Sequence, residues 1–197
     1  MPKISAPTVA EHRRRQREAL LGAATDLLVH GGVAAVTPAA VGAAAGLARP
    51  SVYQYFDSSA GILAAIIEDS FPRSNAQLAV ALAGITDPLE VMDAYVRETL
   101  RQAAEGAHRP AAALAAAQLP EEVRVRLAEL HREQIAPFMK ALQALAVPDL
   151  MITARLLGGV LESAMAAIES GSELGAVTRT TIALIHAAVH PAGSLHA

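Results

Sequence analysis

The sequence predicts an all-α protein, and three observations carry that expectation. Alanine supplies much of an apolar fraction of 53%, and alanine is the strongest helix former. Strand-type runs of valine, isoleucine and aromatic residues are scarce, with aromatics at only 3%. Between proline and glycine punctuation, apolar side chains return every three or four residues, the period of a helix with one buried face.

The first helix is expected from about Val9 to His30, where Leu20, Ala23, Ala24, Leu27 and Leu28 form one stripe and the glycines of "HGG" end it. A short second helix follows, with Thr37 as N-cap, Pro38 at the first helical position and Gly46 closing it. A third short helix is expected over Pro50 to Phe56, with its start delayed because Pro50 disfavours helical geometry at Arg49. After a break at Asp57 to Ser59, Ile62, Leu63, Ile66 and Ile67 open a fourth helix that Pro72 should kink or end. Asp87 and Pro88 mark a clear start for the next, and Pro110 and Pro120 bracket a short apolar one. "PEEV" begins a helix kinked at Pro137, its acids suiting the positive helix end. Two long helices close the chain, roughly Asp149 to Ser170 and Glu173 to His190.

Composition narrows the function. A charged fraction of 18% is too high for a membrane protein, and the charge-free window Leu27 to Ala48 holds Pro38, His30 and several glycines, so no membrane partner is expected. The opening residues are basic without an apolar run behind them, so no secretory signal is expected. Zero cysteines exclude disulfides and cysteinyl zinc sites and fit a cytoplasmic location. The net charge of −3 conceals an asymmetry: residues 1–56 carry six basic and three acidic side chains, the rest ten and sixteen. A basic head on an acidic body suits a local phosphate-binding surface, and equally a solvated arginine face.

Two short helices joined by a glycine-containing turn describe a helix-turn-helix. The run Thr37, Val41, Gly42, Ala45, Gly46, Leu47, Ser51, Val52, Tyr53, Gln54, Tyr55, Phe56 resembles the DNA-binding domain of the TetR (tetracycline-repressor-like) transcriptional regulators. "LLGAATDLLVHGG" is similar to that family's first helix, and the likeness covers residues from about 13 to 67. It implies an N-terminal three-helix DNA-binding domain with its arm over residues 1–58, and a helical ligand-binding and dimerisation domain over 59–197. It also implies a ligand-released repressor that binds a palindromic operator in double-stranded DNA as a homodimer, with a small-molecule effector, no cofactor and no enzymatic activity.

Residue by residue, the resemblance places Tyr53 and Tyr55 at positions that contact phosphates or base edges, Tyr53 alternatively closing a small core. Val52 and Phe56, four apart, would face inward with Leu47. Thr37 can offer its hydroxyl to a phosphate. Arg49, Pro50, Ser51 and Gln54 stand on the recognition helix, where an arginine paired with guanine is the commonest specific contact. Arg13 and Arg14 could reach a phosphate or the minor groove, or simply be a solvated helix end. Two departures matter: Ser59 replaces the family's lysine, with Ala60 and Gly61 where acids are usual, and Pro50 replaces a small residue. The first weakens a phosphate contact and a helix start.

In the acidic two-thirds, dimer candidates are Leu157, Leu161, Ala164, Ile168, Leu184, Ile185 and Ala188, which form stripes on the last two helices. An intramolecular core explains the same stripes. Ligand-pocket candidates are Met92, Tyr95, Thr99, His131, Gln134, Phe138, Met139, Arg155 and Glu162. Two other classes compete. A metal-binding helical-bundle enzyme is hinted at by Glu105-x-x-His108, yet such sites need a second copy of the motif and two further glutamates, and no second copy exists. A helical protein-interaction module could use the basic head against an acidic partner.

Overall fold

Residues 9–115 and 117–189 are described by the computed structural model. Its elements are α1 (Val9–Gly31), a 3-10 turn at Val33–Ala35, α2 (Pro38–Ala44), α3 (Arg49–Val52), α4 (Ser59–Leu82), α5 (Pro88–Ala104), α6 (Arg109–Ala115), α7 (Glu121–Ala144), α8 (Leu150–Glu169) and α9 (Leu174–Val189). No strand occurs among the described residues, so the class is all-α as the composition implied. The chain forms two compact units: one runs as far as Ser70 and adds Arg109–Leu127, the other combines Phe71–His108 with the chain from Ala128 on. Lys3, counted in the basic head, and His190 lie outside the described residues.

In the first unit, α1 buries Leu20, Ala24 and Leu28, while Val36, Val41, Val52 and Phe56 are buried from the segments that follow. α1 packs against α2 and α6, and α2 against α3. The first half of α4 adds Ile62, Leu63, Ile66 and Ile67, all at most 2% exposed. α4 begins at Ser59, within the stretch expected to be a break, because Ser58 Oγ accepts from the Gly61 N–H at 3.0 Å and caps it. Pro72 neither ends nor splits α4, which continues to Leu82, and α7 likewise runs as one helix through Pro137.

The second unit is built on Met92, Tyr95, Val96 and Leu100 of α5, Phe138 and Leu142 of α7, Leu157, Leu161 and Met165 of α8, and Ile185 of α9. Asp87 caps α5 by accepting from the Glu90 N–H at 3.0 Å. Glu173 caps α9 through the Gly175 and Ala176 N–H groups, which hold its carboxyl below the usual range. Asp149 starts α8 in the left-handed region (φ 45) without a side-chain cap. By length and composition α8 could cross a bilayer; here its Leu157, Leu161, Ala164, Met165 and Ile168 are core.

Candidate nucleic-acid interface

The α2–turn–α3 corner is assembled by local chemistry. Thr37 adopts extended geometry, and its Oγ1 accepts from the Ala40 N–H at 3.2 Å, while Pro38 takes the first helical position. Gly46 supplies the left-handed turn (φ 69), and the Leu47 N–H donates back to the Gly42 carbonyl at 2.8 Å. Gly42 is required by close approach: a Cβ there would lie 2.9 Å from both the Leu47 carbonyl oxygen and Val52 Cγ2. Any side chain at that position would push α3 off α2.

α3 starts at Arg49 itself, which corrects the expected late start. Ala48 takes the extended conformation (φ −67, ψ 144), so Arg49 and Pro50 form the first two helical positions, where a missing proline N–H costs nothing. Regular helix stops at Val52, short of the expected Phe56, and Tyr53 to Tyr55 continue as turns. The Phe56 N–H still donates to the Val52 carbonyl at 3.0 Å, so the coil stays closed. Val52 and Phe56 are buried, Leu47 and Ser51 half-buried, and Arg49, Pro50, Tyr53 and Gln54 exposed.

Arginines pair with the aromatics of this corner. The Arg49 guanidinium donates to the Tyr53 hydroxyl at 3.1 Å and sits 5.7 Å from its ring centroid. From α1, Arg13 stands 5.7 Å from the Tyr55 ring and donates to the Gln54 carbonyl at 3.4 Å, and Arg17 stands 5.8 Å from Phe56. Tyr55 also has a partner within the chain. Its hydroxyl donates to Gln16 Oε1 at 2.7 Å, and its ring is half-buried, so it joins α1 to the turn rather than projecting freely. Gln16 was not singled out from sequence; a contact across 39 positions leaves no local signal. Arg14 is turned to Glu18 (2.9 Å) and Arg15 to Glu11 (3.6 Å), whereas Arg13, Arg17 and Arg49 make no ion pair among the described residues. Three guanidiniums thus stand uncompensated around an exposed, four-residue helix. Ser59, in the first turn of α4, is half-buried.

Residues 20–66 match the family model described as bacterial regulatory proteins, tetR family. Over that span the chain is similar to the N-terminal domain of TetR-family regulators. The matched span runs from the buried face of α1 through α2 and α3 into α4. Solved structures agree in fold over nearly the whole chain. A TetR-like transcriptional regulator from Rhodococcus sp. RHA1 is 20% identical, covers 87% of this chain and 94% of its own, and gives a TM-score of 0.76. FadR from Bacillus subtilis, solved with stearoyl-CoA, is 14% identical with a TM-score of 0.74 over 88% of this chain and 99% of its own. The superantigen PfiT is 22% identical with a TM-score of 0.71 over 91% of this chain and 97% of its own, which shows that this fold also serves proteins described in other terms. No curated protein sequence matches the chain.

Among the ligand candidates in the second unit, Met92, Tyr95 and Phe138 are core, with the Tyr95 and Phe138 rings 5.2 Å apart and tilted. Burial pushes the Tyr95 phenol up to about 12 despite its hydrogen bond with Thr99, which is half-buried. Gln134 belongs to a polar cluster: its Nε2 donates to Ser74 Oγ at 2.8 Å, Ser74 donates to Gln102, and Gln102 donates to Glu98 at 2.8 Å. His131, Arg155 and Glu162 are exposed. The eight thus range from core to open surface. Met139 and Arg155 instead share a groove between α7 and α8. Of the dimer candidates, Leu157, Leu161, Ala164, Ile168 and Ile185 are spent in this chain's own core, and Leu184 and Ala188 are exposed. Glu105 caps the end of α5 and pairs with Arg101, while burial lowers the His108 imidazole against the pull of Glu169 and Glu162. No cluster of three or more metal-ligating side chains occurs among the described residues.

Proposed function

We propose that this protein is a cytoplasmic transcriptional repressor that binds a palindromic operator in double-stranded DNA as a homodimer and is released by a small-molecule effector. The observation that carries the reading is the exposed α3 corner, where Arg49, Pro50, Tyr53 and Gln54 face solvent beside the unpaired guanidiniums of Arg13 and Arg17. Arg49 reads a base edge, with its fork oriented by the Tyr53 hydroxyl at 3.1 Å. Thr37 and Tyr53 touch phosphate and fix the docking register. Arg13 contributes charge and holds the turn, and Arg14, Pro50, Ser51, Gln54 and Ser59 complete the contact rim.

The second copy is proposed to dock on the outward faces of α8 and α9. These form an open groove lined by small residues such as Gly159, Ser163, Ala167 and Ala176, with Leu156 and Leu184 standing 66% and 52% exposed beside it. Small residues let helices approach closely, and a two-fold there pairs α8 and α9 with their mates as four helices. Two reading heads then enter successive major grooves about 34–36 Å apart.

The test is selection of bound duplexes from a random pool, followed by competition. An operator with two-fold symmetry should emerge, and Arg49→Ala should relax preference at one base pair per half-site at a cost of roughly 1–3 kcal/mol. Binding that unrelated duplex displaces equally well refutes the reading.

A further inference from the structure

Charge across the second unit is mostly acidic: Phe71–His108 and the chain from Ala128 on carry seven basic and eleven acidic side chains. One groove inverts that balance. Between α7 and α8 lies an open cleft of roughly 980 Å³ whose apolar wall includes Met139, Leu150 and Met151. Its charged lining groups are Arg132, Lys140 and Arg155, with no carboxylate among them. Lys140 and Arg155 make no ion pair among the described residues, and the Arg132 Nε is turned back to the Ala128 carbonyl at 3.2 Å. The apolar side is unusually bare: Met151 and Ile152 are 73% and 61% exposed.

Exposed apolar surface of this kind marks an interaction site, and the cationic rim selects its occupant. We propose that the α7–α8 groove binds a soluble single-chain amphiphile with an anionic head, a carboxylate or phosphate on a long alkyl tail. Only residues 145–149 join the two helices, and along α7 Arg132 is the lining residue farthest from that connection. Leu150 and Met151 fall beside it. The head group pairs with cations of this rim, and the tail lies on Met139, Leu150 and Met151. From Arg132 to Gln143 the groove follows roughly 16 Å of helix, enough for a long-chain tail. A short polar anion would leave the apolar wall wet, and a neutral lipid would leave three cations unsatisfied. As the effector of the repressor proposed above, the ligand's identity rests on that reading; its binding to the groove does not.

The test titrates the full-length protein with dodecanoate, hexadecanoate and dodecyl phosphate below their micelle concentrations, with dodecyltrimethylammonium as the control of opposite charge. The anions should bind and the cation should not. Each buried methylene should tighten binding about two- to fourfold. Paired reversal of the rim, K140E with R155E, should weaken binding about tenfold or more, and M151D should weaken it through the tail. Because all three side chains are exposed, melting temperature and sedimentation should stay unchanged. Equal binding of the cation, or indifference to both variants, overturns the proposal. So does preferential sedimentation with anionic phospholipid vesicles, which would make the face a membrane contact, or loss of the dimer in K140E/R155E, which would make it a face for the second copy. DNA binding measured on the same samples separates the two readings. Intact operator binding without amphiphile affinity sinks this inference alone, and amphiphile affinity without sequence-preferring DNA binding sinks the repressor alone.

Discussion

Gly159 offers the sharpest test of the proposed self-association. It lies exposed in the middle of α8, and a Cβ built there meets no atom within 4 Å. Nothing in its own chain therefore calls for glycine, and an interior helical glycine costs about 1 kcal/mol relative to alanine. Gly159→Ala should raise stability by about that amount, roughly 2–4 °C in melting temperature for a chain of this length. Gly159→Leu keeps most of the helical gain, since leucine is nearly as good a helix former. It also adds four carbons to a face proposed to meet its own symmetry mate. A two-fold places the insertion on both sides of the interface. Overpacking costs about 1–3 kcal/mol per site, so two sites weaken the dimer by at least about 2 kcal/mol, some thirtyfold in Kd. Sedimentation velocity over a dilution series reads the second effect, and thermal melting the first. If Gly159→Leu raises the melting temperature while the dimer stays equally tight, or if the unaltered chain is a monomer at micromolar concentration, the outward face of α8 is not the interface.

Other perturbations probe the reading head and the polar core. Tyr55→Phe removes the hydroxyl that bridges to Gln16, and should cost about 1 kcal/mol of stability, read as a lower melting temperature; an unchanged melt with weaker DNA binding would return that hydroxyl to the DNA surface. Glu98 is held below its ordinary value of 4.5 first by the Arg101 hydrogen bonds, against the opposing effect of burial, and further by Gln102. A depressed carboxyl contributes stability that is present above 4.5 and lost as pH falls through the lower folded value. Glu98→Gln should therefore melt lower at neutral pH and lose less on acidification; parallel acid slopes in the two proteins would show that Glu98 does not report through Arg101.

What could be read from the sequence was what is decided within one helical turn. Thr37 and Asp87 act as caps because a side-chain oxygen reaches an N–H three residues on, and that reach is visible in spacing alone. The same locality made the α2–α3 corner and its buried Val52 and Phe56 legible. Ser58 was missed as the cap of α4 because the following Ala60 and Gly61 lack the acids that usually announce such a start. The faces of α8 were harder for a physical reason. Its hydrophobic side chains run nearly all the way round, so the stripe Leu157, Leu161, Ala164, Ile168 signals burial without saying against what. The strongest stripe went to the chain's own core, and the weaker one through Leu156 and Gly159 was left outside.

The reading head follows from the register of α1. Arg13, Gln16 and Arg17 sit three and four residues apart, on one face of that helix. That one face meets the consecutive aromatics Tyr55 and Phe56 through two stacked guanidiniums and a hydrogen bond. Rotating α1 by a single residue would turn the whole set away by about 100°. Most of the basic head is therefore structural first: Arg13 and Arg17 clamp the turn, and Arg14 and Arg15 satisfy acids on their own helix. Arg49 alone among these arginines lies on α3 and leans on a side chain, Tyr53, that is itself exposed. In the proposed DNA complex, a long-range field from several arginines with one oriented fork at the tip separates affinity from specificity. Charge at α1 should set how tightly any duplex is held, and the side chain at position 49 should set which one.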